Sequence, residues 1–101
     1  MAVKHIVLWK LKEEAEGSRK AENARRIKER LEALRGRIPG LRHIEVGVNF
    51  EPSPAAYDVA LYSELESRAA LDAYQSHPEH KAVADFIGKV REARVVVDYE
   101  V

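Results

Sequence analysis

The 101-residue sequence contains no cysteine. A disulfide framework and thiol catalysis are therefore excluded. The chain also lacks an excess of charge of either sign, because 17 Lys and Arg residues balance 17 Asp and Glu residues. A nucleic-acid-binding surface is normally basic, so this balance argues against nucleic acid as a partner.

Long hydrophobic runs are also absent. The apolar run that ends at Trp9 is too short for a transmembrane helix, and no signal-peptide cleavage pattern accompanies it. We therefore expect no membrane association and a cytoplasmic location. The chain is 46% hydrophobic and 34% charged, which is typical of a globular protein, and its length predicts a single domain over residues 1–101.

Alternating apolar residues predict four strands. They cover Val3 to Leu11, Leu41 to Phe50, Tyr57 to Glu64 and Ala93 to Val101. In the first strand both faces are apolar at the centre, because His5, Val7 and Trp9 alternate with Ile6 and Leu8. Both faces of this strand are therefore expected to be covered.

Helical spacing of apolar residues predicts the remaining elements. A long helix runs from about Ser18, its predicted N-cap, to Arg35. Ser67 caps a second, short helix. The His77-Pro78 step interrupts this helix, because a residue that precedes proline is disfavoured in the α region, and Pro78 then suits the first turn of a further helix.

The predicted order is β-α-β-β-α-β, with the second helix split. This is the ferredoxin-like α+β pattern, in which helices cover one face of a four-stranded antiparallel sheet. The strands carry more apolar surface than one helical layer should cover, supplied by Ile6, Leu8, Ile44, Val46 and Val48. An apolar sheet face left open usually marks an interface, so we expect a homodimer that pairs two open faces into a dimeric α+β barrel.

The segment from Tyr74 to His80 is the strongest candidate for chemistry. It contains two of the four histidines of the chain, His77 and His80, beside a tyrosine. Histidine changes its charge near neutral pH, so this grouping is suited to proton transfer.

Three stretches together resemble the stress-responsive A/B barrel domain (Dabb) family. They are Val3-Lys4-His5-Ile6-Val7-Leu8, then Tyr74 with His77-Pro78-Glu79-His80, and finally Val97-Asp98-Tyr99. The resemblance covers essentially the whole chain, and it implies a dimeric α+β barrel.

One branch of that family contains polyketide cyclases, which close a ring by aldol condensation. The resemblance implies that Tyr74 and His80 match the catalytic tyrosine and histidine of the cyclases, and that His5 matches a pocket histidine. His80 would then be the base and Tyr74 a hydrogen-bond donor, with His5 orienting the site and no cofactor required. The expected substrate is a small, polyketide-like carbonyl compound.

The chain departs from the cyclases in the pocket wall. Ile27 and Leu31 stand where the cyclases have aromatic residues, Val59 replaces a histidine, and Arg91 replaces a tryptophan. The resemblance therefore does not transfer a particular substrate.

Each candidate residue also has a structural interpretation. His77 suits local capping at a helix start, and Tyr74 and His5 suit a protein core. As a metal site, His77, Glu79 and His80 offer too few ligands on one turn, and Asp98 and Glu100 could hold a hard cation only loosely. We expect no functional metal.

Two classes of function stay open. The first is a small, cofactor-free cyclase or lyase-type enzyme. The second is a non-catalytic, stress-responsive homo-oligomer or small-molecule-binding protein.

Overall fold

Six strands and three helices make up the fold in the computed structural model, which describes residues 1–101. In chain order they are β1 (Val3–Leu11), β2 (Glu14–Ala15), β3 (Ser18–Arg19), α1 (Lys20–Glu32), β4 (Leu41–Val48), β5 (Val59–Leu65), α2 (Arg68–Ser76), α3 (Pro78–Val90) and β6 (Arg91–Glu100). The four long strands form one antiparallel sheet in the order β4-β5-β1-β6. The predicted ferredoxin-like α+β fold is confirmed. No helix is long and apolar enough to cross a membrane.

Strand β1 lies inside the sheet and divides its two faces. Its odd-numbered residues, from Val3 to Leu11, are buried beneath the helices, whereas the even-numbered residues are partly exposed. The register places His5 opposite both Ser63 of β5 and Asp98 of β6, so these side chains lie on the helix-covered face. The alternation predicted for β1 is confirmed.

The open face of the sheet is apolar along β1 and β6. In the register, Ile6 pairs with Val97, Leu8 with Val95, and Lys4 with Tyr99. Val95, Val97 and Tyr99 are exposed in the single chain. An apolar open face was expected, and Ile6 and Leu8 supply part of it.

Ile44 and Val46 of β4 do not belong to this open face. They pair with Ser63 and Leu61, which share the helix side, and both are fully buried there. Helix α1 packs across β4 with its own buried stripe, which includes Ile27 and Leu31. The sequence left the face of these residues unassigned, because β4 alternates on only one face, which does not show by itself on which side of the sheet that face lies.

A short hairpin precedes α1 where the sequence predicted the start of the helix. Strands β2 and β3 pair across a turn at Glu16 and Gly17, both of which have positive φ angles. Positive φ at both central residues is the geometry of tight hairpin turns. Ser18 therefore lies in β3, and the N-cap of α1 is Arg19, which makes no side-chain capping bond. The predicted cap at Ser18 was wrong.

The caps predicted around α2 and α3 are confirmed. The Ser67 hydroxyl accepts a hydrogen bond from the Ala70 amide at 3.1 Å, which satisfies a free donor at the start of α2. His77 ends α2 with an extended backbone conformation, and Pro78 occupies the first turn of α3. The Nδ1 atom of His77 accepts a bond from the Glu79 amide at 3.1 Å, so this ring caps α3.

Candidate functional site

The structure brings Tyr74, His80 and His5 together beneath the helices. Tyr74 lies in the last turns of α2, His80 in the first turn of α3, and His5 on the helix-covered face of β1. The ring centroids of Tyr74 and His80 are 4.3 Å apart, and those of Tyr74 and His5 are 6.0 Å apart in an edge-on arrangement. His77 faces its own helix end as a cap and takes no part in this ring cluster.

Tyr74 is entirely buried, and its hydroxyl group has no hydrogen-bond partner in the protein. Burial raises the pKa of this phenol well above its ordinary value, because the phenolate would be poorly solvated. The side chain is therefore neutral across the physiological range and retains its proton as a hydrogen-bond donor. A buried tyrosine hydroxyl usually finds a partner, which makes this one unusual for a core residue.

His80 is partly buried, and its Nδ1 atom also has no hydrogen-bond partner. Burial lowers the pKa of this imidazole, since the charged form loses hydration, and the backbone carbonyl of Gln75 works in the opposite direction. The neighbouring His5 ring and the Arg94 guanidinium lower the pKa further. His80 is therefore an unprotonated imidazole at neutral pH, which is the form that can accept a proton.

His5 is held by a carboxylate from the far end of the chain. Its Nδ1 atom pairs with Oδ1 of Asp98, which lies opposite it on β6. A carboxylate on Nδ1 fixes the ring orientation and favours a proton on that nitrogen, which leaves Nε2 as the acceptor. From the sequence, Asp98 was expected only within a motif and as a loose cation ligand, and its pairing with His5 was not predicted.

A cavity of about 120 Å³ lies beside the ring cluster. On one side it is lined by His80, Ala84 and Ile87, which share one stripe of α3, and by Arg91, which follows the end of that helix. The other lining residues are His5, Val7, Trp9, Leu31, Leu61 and Arg94. His5 and His80 thus line a common space. Tyr74 contacts both imidazole rings but does not form part of the cavity wall.

The two arginines of this wall, Arg91 and Arg94, were not recognised from the sequence as site residues. From the sequence, Arg91 appeared only as a departure from the cyclase pattern. Both are exposed, and neither makes an ion pair. Arg94 lies opposite Trp9 in the pairing of β1 with β6, and this position would have indicated that it lines the cavity. The pairing cannot be found from the sequence, because it depends on the strand register.

The carboxylates considered for a cation are used elsewhere. Asp98 pairs with His5, and Glu100 accepts a hydrogen bond from Arg68 at 2.6 Å. No group of three or more His, Asp or Glu side chains is arranged to hold a metal ion.

Known proteins resemble the chain over most of its length. An uncharacterised protein from Streptomyces coelicolor is 35% identical over 80 residues, which cover 79% of this chain and 80% of that protein. A dimeric protein of unknown function with a ferredoxin-like fold, from Bacteroides fragilis, is 39% identical with a TM-score of 0.88, covering 99% of this chain and 96% of the other.

A more distant structure shares the fold alone. The hydroxynitrile lyase from Passiflora edulis is 20% identical with a TM-score of 0.82, covering 99% of this chain and 93% of the lyase. The family model of the stress responsive A/B barrel domain, Dabb, matches residues 3–101. With this match over nearly its whole length, the chain belongs to the Dabb family.

Proposed function

We propose that the protein is a small, cofactor-free enzyme of the cyclase or lyase type that moves a proton at a carbon atom next to a carbonyl group. The observation that carries the proposal is the convergence of two imidazoles, His5 and His80, on one cavity. His80 is the base, because burial and nearby positive charge keep it unprotonated at neutral pH. The Asp98 carboxylate orients His5 beside it.

Tyr74 is the donor in this proposal. Removing a proton beside a carbonyl places negative charge on oxygen, and a neutral hydroxyl in a water-poor site stabilises that charge. The unpartnered Tyr74 hydroxyl has a proton to donate and no competing acceptor in the protein. Because Tyr74 lies behind the imidazoles, its donation to a ligand requires the cavity to extend towards α2 when the ligand binds.

The cavity favours a small substrate. Its volume of about 120 Å³ is below the ~300 Å³ at which pockets for drug-sized ligands begin, and a cavity of about 150 Å³ holds a benzene molecule. A polyketide chain would therefore fit only in part. The fold can hold a lyase, as the structure from Passiflora edulis illustrates.

Replacing His80 tests the proposed base. In heavy water, we expect the wild-type protein to speed deuterium entry at the carbons beside the carbonyl of two small ketones, 4-oxopentanoate and 5-methylhexan-2-one. His80→Gln should reduce this rate by roughly 10² or more, because it removes the proton acceptor. Loss of the proton signals in NMR spectra measures the exchange.

His43→Gln is the matched control, because His43 lies exposed on β4 and pairs with Glu45 rather than with the site. It should exchange both ketones at the wild-type rate. If the wild type does not exceed the protein-free rate, or if His80→Gln equals the wild type, the enzyme proposal fails. Saturable ketone binding without exchange would instead support the second class of function, a small-molecule-binding protein.

Replacing Tyr74 separates a catalytic donor from a packing residue. Tyr74→Phe removes a buried hydroxyl that has no partner, so the free energy of unfolding should rise by about 1 kcal/mol. If the hydroxyl stabilises the developing oxyanion, the exchange rate should fall by about 10²-fold in the same variant. Urea unfolding and NMR exchange measure the two effects. A stabilised variant with an unchanged rate would assign Tyr74 to packing alone.

We further propose that two chains pair through the open sheet face into a barrel. In the single chain, Val95, Val97 and Tyr99 leave a contiguous apolar strip exposed beside Ile6 and Leu8, and water contact with such a strip is unfavourable. The relative from Bacteroides fragilis is described as dimeric. The cavity lies on the opposite, helix-covered face, so this pairing leaves it free.

Two neighbouring valines on β6 test this interface. Val97 points to the open face and is 52% exposed, while Val96 points to the helix side and is 46% exposed. Val97→Lys should place an unpaired charge in the dimer interface and give a monomer at micromolar concentration. Val96→Lys should remain dimeric. Sedimentation or light scattering measures the oligomeric state of each variant. A wild-type chain that is itself monomeric would refute the proposed interface.

A further inference from the structure

The cavity wall is unbalanced in charge. Of its ten lining residues, Arg91 and Arg94 carry positive charge, His5 and His80 are imidazoles, and none is acidic. The Asp98 carboxylate is paired with His5. The two arginines form no ion pair within the chain, so their charge is available to a ligand. A pocket lined by one sign of charge raises the local concentration of ligands of the opposite sign.

The basic groups lie at two ends of the cavity. Along the α3 stripe, His80 is in the first turn and Arg91 follows the last turn, with Ala84 and Ile87 between them. The sheet repeats this order, because His5 opposes Asp98 near one end of β1 while Trp9 opposes Arg94 towards the other. The cavity therefore has an imidazole end, an apolar middle and a guanidinium end.

A purely structural role explains only one of the two arginines. Arg91 follows the C-terminus of α3, where a positive charge interacts favourably with the helix dipole. Arg94 lies on β6 without such a partner, yet it faces the cavity and is close enough to His80 to lower the pKa of that ring.

The geometry points to a carboxylate-bearing carbonyl compound as the ligand, with its carboxylate at Arg91 and Arg94 and its carbonyl end at His5 and His80. This assignment rests on the proposed function for the position of the carbonyl. The guanidinium group presents a planar set of donors that matches two carboxylate oxygens. The apolar middle accommodates a short methylene spacer, and the small volume of the cavity limits the compound to a few carbon atoms.

Two probes of similar shape isolate the charge. In 4-oxopentanoate, two methylenes separate a ketone from a carboxylate, and in 5-methylhexan-2-one an uncharged isopropyl group replaces the carboxylate. Wild-type protein should bind 4-oxopentanoate more tightly than the uncharged ketone. Arg94→Gln and Arg91→Gln should each weaken 4-oxopentanoate about tenfold, as expected for loss of a charge-assisted hydrogen bond. Binding of the uncharged ketone should change by less than about twofold, because it makes no such bond.

Lys89→Gln is the control for charge alone. Lys89 lies near the end of α3 but does not line the cavity. Its replacement by Gln removes one positive charge, as each arginine substitution does. This variant should bind both probes as the wild type does, because salt screens an exposed charge that is not in contact with the ligand. Dissociation constants come from isothermal titration at fixed ionic strength, and circular dichroism confirms that each variant is folded.

The outcomes separate this inference from the proposed function. Equal binding of the two probes, an arginine-independent dissociation constant, or no binding of 4-oxopentanoate overturns the carboxylate site. Arginine-dependent binding of 4-oxopentanoate without any deuterium exchange supports the carboxylate site while the enzyme proposal fails. If deuterium exchange of both ketones depends on His80 but not on the arginines, the enzyme proposal is supported and the carboxylate site is refuted.

Discussion

The break between α2 and α3 at His77-Pro78 is the constraint on which the site depends. Tyr74 and His80 are six residues apart, so on one continuous helix they would point about 120° apart around the axis. The extended backbone of His77 and the fixed geometry of Pro78 start a new helix instead, and the two rings then approach to 4.3 Å. The His77 ring stabilises this break by capping α3.

The local stability of this region is reduced by the groups that the proposed chemistry requires. The Tyr74 hydroxyl and the Nδ1 atom of His80 are both buried without a hydrogen-bond partner. Each unsatisfied group of this kind costs roughly 1–3 kcal/mol. Packing alone would favour phenylalanine at position 74, and departures from good packing that persist in a fold are typical of functional sites. The same burial that destabilises the pair keeps the imidazole unprotonated and the phenol protonated.

Local patterns in the sequence were sufficient to predict the fold and the three rings of the candidate site. They did not predict the pairing of His5 with Asp98 or the two arginines of the cavity. The alternation of β1, the cap at Ser67 and the break at Pro78 depend on neighbouring residues, so they could be predicted. The hairpin at Glu16 and Gly17 could not, because glutamate rarely adopts positive φ and gives no turn signal. The pairing of His5 with Asp98 joins residues 93 positions apart, and the arginine end of the cavity likewise appears only when β1 and β6 are in register.

The central claim is that His80 is held as an unprotonated base in a partly buried, positively charged cavity. An NMR titration that follows the ring signals of His80 in the wild-type protein tests whether this imidazole is held unprotonated. If His80 is the proposed base, its titration midpoint should lie clearly below 6.5, the ordinary value for histidine. A midpoint at or above that value would show that the site does not disfavour the charged form of the ring. It would contradict the role of His80 as the unprotonated base.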